Sequence, residues 1–255
     1  VQSLHPLAFH DDQSIVSHGG KLILRKGSAE KILPEIAKSI GAENVFFNRV
    51  YDPAGLQTQV SVETALEQAG VSSKSFNASL LNEPWEIKNG SGKPYQVFTP
   101  YWRASRSGIY KEPSTFSPSE LKFQSTNSKT ETLNDLGLLP DHPWHEKLHT
   151  HWTVSEDEGH GMIRRTTEEV TRFYSNRRNI PSIDGTSRLS PYLAWGNISP
   201  RQICHAVLHA EEHSGSRGEN KFLTEIGWRE FSYHLLYHFP RSPENPLRPK
   251  YASFP

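Results

Sequence analysis

A change of hydrophobic period limits most strongly what this chain can fold into. From Lys21 to about Phe76 short β-like runs alternate with helical stretches, residues 108–155 hold no sustained period, and after about residue 157 only the helical period remains. Strand–helix alternation at that spacing builds a parallel sheet with helices packed on it. A structureless run of such length is unusual inside one compact domain and reads as a connector. The expected architecture is therefore an α/β part over residues 1–107, a linker over 108–155, and the start of an all-α part over 156–255.

Single elements follow from local signals. Lys21-Leu-Ile-Leu-Arg25 is an apolar run closed by the turn signal Lys26-Gly27, and reads as a strand. Ser28 can cap a helix that runs through Ile40, with Ile32, Leu33, Ile36, Ala37 and Ile40 on one face and Gly41 as its stop. Asn44–Asn48 reads as the next strand and Val60–Ala69 as the next helix. A short helix is predicted near Trp102–Ser107, and longer ones over Glu156–Ser175, Pro200–Glu212 and Lys221–His238.

Composition adds bounds. Hydrophobic residues make up 35% and charged residues 22%, the balance of an ordinary globular chain. No apolar run approaches the roughly 20 residues of a membrane helix, and the first residues lack the basic start and apolar core of a signal peptide. Cys204 is the single cysteine, which precludes an intrachain disulfide and suggests a reducing compartment. The chain opens at Val1, has Met162 as its only methionine and closes at Pro255, so both ends read as cut. Net charge is zero overall, with −4 over residues 1–160 and +4 over 161–255. That asymmetry suits contact with phosphates and equally suits chance.

Three tempting signals fail. Gly90-Ser-Gly92-Lys93 has Pro94 where a phosphate loop needs Ser or Thr, and no upstream glycine at the right spacing. Gly159-His-Gly161 lacks a preceding strand and a third glycine. His142, His145, His149 and His151 cluster without a nearby cysteine, and a solvated His-rich linker explains them better than zinc.

Two clusters carry chemistry. In the first, Gly185-Thr-Ser precedes Arg188-Leu-Ser190 as a turn opening a helix, where hydroxyls and free N–H groups could hold an anion such as a pyrophosphate, with Arg188 and Arg201 nearby. Two capped helices with no ligand explain the same residues. In the second, Glu225, Trp228 and Arg229 stand at i, i+3 and i+4 of a helix. A carboxylate, an indole and a guanidinium suit a flat hydrogen-bonding guest such as a base. A core tryptophan beside a Glu225–Arg229 ion pair is the other reading.

The stretch Gly185-Thr-Ser-Arg-Leu-Ser-Pro-Tyr-Leu-Ala-Trp-Gly-Asn-Ile-Ser-Pro-Arg201 resembles the first flavin-binding signature of the photolyase/cryptochrome family. Phe222 to Pro240 resembles the helix that follows it, and Tyr95–Tyr101 and Leu136–Pro140 resemble the family's linker. The likeness is to the class I, bacterial-type cyclobutane pyrimidine dimer photolyases. It implies a Rossmann-like antenna domain, here incomplete, joined to a helical domain that holds FAD. Position by position it implies that Tyr174, Thr186, Ser187, Arg188, Leu189, Ser190 and Phe222 contact FAD. Arg178 would meet the DNA backbone, Glu225 the base edges of a flipped pyrimidine dimer, and Trp228 its face, with Arg229 alongside; Glu225 and Trp228 are the catalytic pair.

The implied activity is light-driven repair of UV-damaged DNA, a carbon–carbon lyase reaction, by a monomer in a bacterial cytoplasm that joins the nucleoid when bound to DNA. An antenna chromophore, folate or deazaflavin, is part of the same expectation, although no acidic residue near Ala54–Thr58 matches the one that holds a folate. The rival within the family is a cryptochrome photoreceptor without repair activity; outside it stands an α/β partner-binding module, which leaves the helical half unexplained. None of the six tryptophans is assigned to electron transfer into the flavin, and the chain on its own is expected to be inactive and to bind FAD weakly or not at all.

Overall fold

The computed structural model describes residues 15–114, 122–123, 126, 128–139, 141–214 and 220–253. The first residues of the chain and part of the proposed linker lie outside that set.

Helix α1 spans Ala29–Ile40. Gly41 ends it in the left-handed region at φ 68°, and Ala42 N–H reaches back to the Ala37 carbonyl at 2.8 Å. Ser28 holds the extended N-cap backbone, but its hydroxyl makes no capping bond; it faces the Glu30 carboxyl instead and lowers that group's pKa. Strand β1 is Asn44–Asn48. Helix α2 spans Pro53–Gln68, seven residues longer at its start than the apolar pattern suggests. Asp52 accepts from Gly55 N–H at 2.8 Å and Pro53 fills the first turn, so the proline opens the helix instead of breaking it. Strand β2, Ser72–Phe76, pairs with β1 in parallel, Asn44 opposite Ser72 and Asn48 opposite Phe76. Ala37, Val62, Leu66 and Val71 form the core between these elements.

Lys21–Arg25 is not a strand. A strand is made by a neighbour's ladder, and here Leu24 N–H donates to Thr130 Oγ1 at 2.9 Å while its carbonyl accepts from Glu131 N–H at 2.8 Å. Residues 130 and 131 thus fold back and satisfy this run, and the described sheet has two strands.

Helix α3 spans Phe98–Ser105 and passes into a 3₁₀ turn, Arg106–Tyr110. Within the stretch expected to be a structureless linker, Trp144–His149 forms a short helix, α4. The helix expected over Glu156–Ser175 is broken into α5, Glu156–Arg165, a π turn, Thr166–Val170, a 3₁₀ turn, Thr171–Phe173, and α6, Tyr174–Arg177. Thr166 and Thr167 bond back to the carbonyls of Met162 and Arg164 at 2.7 and 2.8 Å, and Thr171 to that of Thr167 at 3.3 Å. Such back-bonding bends helices, and π turns recur at functional sites.

Helix α7, Ser190–Trp195, stops at Gly196 in the left-handed region. Helix α8, Pro200–Ser214, opens with a capping box: Gln202 N–H donates to Ser199 Oγ at 3.2 Å and Ser199 N–H to Gln202 Oε1 at 2.7 Å. Helix α9, Lys221–His238, is capped by Asn220, which accepts from Phe222 and Leu223 N–H at 2.8 and 3.3 Å. No strand follows residue 157 among the described residues.

One core joins the helices to the first half, taking in Leu81, Trp102 and Ile109 with Ile203, Cys204 and Phe222. Burial, with the charge of Glu230 second, pushes the Cys204 thiol well above its ordinary range. At Gly227 a Cβ would fall 2.5 Å from the Trp102 ring, so α9 lies directly on α3. Gly227→Ala should therefore cost about 1–3 kcal/mol by overpacking, read as a lowered Tm; an unchanged Tm would mean that α3 and α9 do not meet there.

Candidate flavin and DNA site

α9 presents most of the site. Glu225 is paired with Arg178, just beyond the end of α6, in a close ion pair, and with Lys221 Nζ at 3.6 Å one turn earlier. The Arg178 guanidinium lies 5.5 Å over the Tyr174 ring, and that ring meets Phe222 edge-on at 5.2 Å and 86°. Tyr174, Arg178, Phe222 and Glu225, separated by up to 51 positions in the sequence, are thus brought together. The hydrogen bond to Glu225 raises the pKa of Arg178 above its usual value, and burial, with Glu225 second, raises that of Tyr174.

Trp228 is 45% exposed, and its ring is not a core residue. Phe98 stacks on one of its faces, 3.7 Å between centroids at 10°, and Phe231 meets it edge-on at 6.0 Å. Aromatic packing of this kind fixes a ring plane, so Trp228 is held from behind and offers its other face. In the sequence, Phe98 stands out only as part of the stretch Tyr95–Tyr101 that resembles the family's linker.

Arg229 does not join Glu225. Its Nη1 donates to the Ser79 carbonyl at 2.6 Å and lies 3.5 Å from Glu230, and its guanidinium sits 4.9 Å over Tyr233. The i,i+4 pairing of Glu225 with Arg229 is therefore absent, because both partners have better ones. Arg229 belongs to a seam that fastens α9 to residues 79–95. Glu230, 2% exposed, accepts from Leu81 N–H at 2.7 Å and Asn82 N–H at 3.4 Å. His234 Nε2 accepts from Tyr95 N–H at 3.1 Å, and His238 Nε2 donates to the Pro84 carbonyl at 2.9 Å. Arg201, expected beside the anion turn, acts electrostatically on Glu230, and its Nε is buried without a hydrogen-bond partner among the described residues.

The turn 184–190 packs against the end of α6: a Cβ at Gly185 would lie 2.6 Å from that of Arg177. Arg188 takes a left-handed backbone, φ 54°, a strained state for a side chain of this size and a frequent mark of ligand-binding loops. Its guanidinium pairs with Asp184 at 3.3 Å, and Arg165 braces the turn from α5 through Asp184 at 2.9 Å and the Thr186 carbonyl at 3.4 Å. Leu189 is buried, so only its backbone can face a ligand. Leu189 N–H lies 3.5 Å from Ser187 Oγ, and α7 has no side-chain cap, against the expectation of a capped helix. Thr186 and Ser190 are exposed, and their hydroxyls have no hydrogen-bond partner among the described residues. Free hydroxyls on a rigid turn beside paired arginines fit a phosphate-bearing cofactor, and the Tyr174–Phe222 wall fits its aromatic part.

Around the connector histidines no group of three metal ligands is assembled among the described residues; the side chains of His145 and His149 lie outside them. Nor is any described helix long and apolar enough to cross a membrane.

Comparison with known proteins gives this geometry a context. The sequence model of the family described as DNA photolyase matches residues 11–119. The chain is 35% identical over 242 residues to a deoxyribodipyrimidine photo-lyase of Agrobacterium fabrum, covering 94% of this chain and 50% of that protein. It is 30% identical over 257 residues to cryptochrome-1 of Arabidopsis thaliana, covering 96% of this chain and 37% of that protein. A solved structure of a bacterial class III photolyase from Agrobacterium tumefaciens superposes with a TM-score of 0.88 at 35% identity, over 100% of this chain and 53% of that one. The sequence resemblance pointed to class I, whereas this structural neighbour is class III. The chain spans about half the length of the curated relatives it matches.

Proposed function

Since the chain carries the DNA photolyase family domain and its homologues are photolyases and cryptochromes, we propose that the full-length protein repairs cyclobutane pyrimidine dimers in DNA under blue light. The observation that carries the reading is the face of α9 on which Glu225 and Trp228 stand one turn apart, Trp228 backed by Phe98 and Glu225 beside Arg178. The photolyase family generally binds FAD, and FAD, when bound, supplies the light absorption and the electron.

The chain's own residues then do the following. Thr186, Ser187 and Ser190 take the cofactor's phosphates and ribityl chain with the backbone of Arg188 and Leu189, while Tyr174 and Phe222 wall the ring system. Trp228 stacks on a dimer turned out of the duplex. Glu225 hydrogen-bonds the dimer's base edges and, having taken a proton from solvent once its pair with Arg178 is exchanged, shares that proton with the base carbonyl on which charge develops. In the free protein Arg178 and Glu225 satisfy each other. DNA entry exchanges that pair for two others, phosphate on Arg178 and base edge on Glu225. Arg229 acts by holding α9 against Ser79. The partition into an α/β lobe (1–107), a connector (108–155) and a helical lobe (156–255), a monomeric state, and an antenna chromophore, folate or deazaflavin, seated on the α/β lobe belong to the same reading.

The test is dark binding to oligonucleotides with and without one thymine dimer, followed by repair of the bound lesion. The full-length protein should prefer the lesion by on the order of 10³-fold, the lower part of the range for specific over non-specific DNA binding. Glu225→Ala should keep the flavin spectrum and lower the light-driven repair yield by a factor of a few. A yield equal to wild type would remove Glu225 from the chemistry. Flavin binding with no preference for the lesion would favour the cryptochrome reading, which the 30% identity to cryptochrome-1 supports.

A further inference from the structure

Far from the flavin and DNA residues in its chemistry, α8 carries His205, His209 and His213, four residues apart and therefore on one helix face. All three are exposed. The rings of His209 and His213 lie 4.3 Å apart between centroids at 42°, and those of His205 and His209 6.4 Å apart at 17°. His213 Nδ1 donates to the His209 carbonyl at 2.8 Å. That bond fixes the tautomer, turns the ring, and leaves the Nε2 lone pair free, which is how metal-bound histidines are oriented from behind. The intervening residues read His209-Ala-Glu-Glu-His213, the H-x-x-E-H spacing that sets two imidazoles one turn apart around zinc.

We propose that His209 and His213 form a chelate site for a divalent transition-metal cation of the zinc or copper class, bound through both Nε2 atoms. The contacts of the two imidazoles among the described residues are the ring contacts with each other and with His205 and the His213 Nδ1 bond to the His209 carbonyl, and imidazole donors select zinc, copper or nickel over magnesium and calcium. No group of three His, Cys, Asp or Glu surrounds one point among the described residues. The site is accordingly a two-ligand one, completed by water, that binds without catalysing. His205 is a stacked neighbour and not a ligand. Because the chelate spans the last turn of α8, metal binding and the order of that turn are linked.

The test titrates the full chain with Zn²⁺ by calorimetry and with Cu²⁺ by electron paramagnetic resonance, in a buffer that does not chelate. About one equivalent should bind, with Cu²⁺ showing two nitrogen couplings. His209→Ala and His213→Ala should each weaken binding by at least about tenfold, the scale set by losing one of two ligands. His205→Ala, and a variant changing both His142 and His151, should bind as wild type does. Unaltered far-UV circular dichroism in these surface variants separates lost ligands from lost fold. Absence of binding by wild type at about 100 µM metal, undiminished binding by the His209→Ala/His213→Ala double variant, or loss of binding with His142 and His151 overturns the site.

Discussion

Replacing Glu230 with Ala is expected to cost about 3–5 kcal/mol of folding stability, the scale for removing one partner from a buried charge network. The variant strands the N–H groups of Leu81 and Asn82 and leaves Arg229 with only the Ser79 carbonyl and the Tyr233 ring. Glu230→Gln keeps an acceptor oxygen and should cost less, and its pH profile is the sharper reading. Burial, opposed by Arg229, raises the Glu230 carboxyl from 4.5 to about 7. Between those values the folded chain holds a proton that the unfolded chain has released, so Glu230 makes stability fall as pH rises from about 4.5 to about 7. His234 has the opposite sign. Burial, aided by His238, lowers its imidazole from 6.5 to about 4, so its contribution is complete above 6.5 and is lost as pH falls toward 4.

The two slopes oppose each other over about pH 4.5–6.5, each worth about 3 kcal/mol across its window at ~1.36 kcal/mol per pH unit. Glu230→Gln removes one of them. The stability difference, variant minus wild type, should rise by about 3 kcal/mol between pH 4.5 and 7, measured as urea-unfolding free energies at several pH values. A difference that stays constant across that range would mean Glu230 keeps one protonation state in the folded and unfolded chains alike.

Trp228→Ala in the full-length protein should weaken binding to a dimer-containing oligonucleotide about 10–100-fold, the value of one base–aromatic stack of roughly 1–3 kcal/mol. The ring's two faces differ: Phe98 covers one at 3.7 Å, and the residue is 45% exposed. Binding to undamaged duplex, carried by phosphate contacts, should change little. Fluorescence polarisation with paired damaged and undamaged probes measures both. Equal losses on the two probes would assign Trp228 to packing against Phe98 and Phe231 instead of to the lesion.

Elements whose signals are local were legible in the sequence. Lys221–His238 carries its own cap in Asn220, α1 ends on Gly41, and β1 is a compact apolar run, and all three stand where the sequence puts them. What failed depended on distant partners or on competition within the backbone. The apolar run Lys21–Arg25 reads as a strand, yet its hydrogen bonds go to Thr130 and Glu131, more than 100 positions away. The periodic stretch 156–175 reads as one helix, yet the hydroxyls of Thr166, Thr167 and Thr171 pull it into π and 3₁₀ turns.

The candidate site divides in the same way. Motif residues on α9 and in the 185–190 turn were visible one by one. Their partners were not: Arg178 for Glu225, Phe98 for Trp228, and Ser79 for Arg229 lie 47, 130 and 150 positions away. Glu230 sits in the same motif, and its partners Leu81 and Asn82, 149 and 148 positions away, were equally hidden. A carboxylate amid Phe222, Ile226 and Phe231 on a helix hydrophobic on several sides was the only hint of its burial.

The most direct test of the account is loss of a single thymine cyclobutane dimer from an oligonucleotide given to the full-length protein, in the dark and under blue light. The account predicts loss of the dimer in the light, none in the dark, and a reduced rate in Glu225→Ala. A protein that holds flavin and binds the lesion, yet leaves the dimer intact under light, would contradict it.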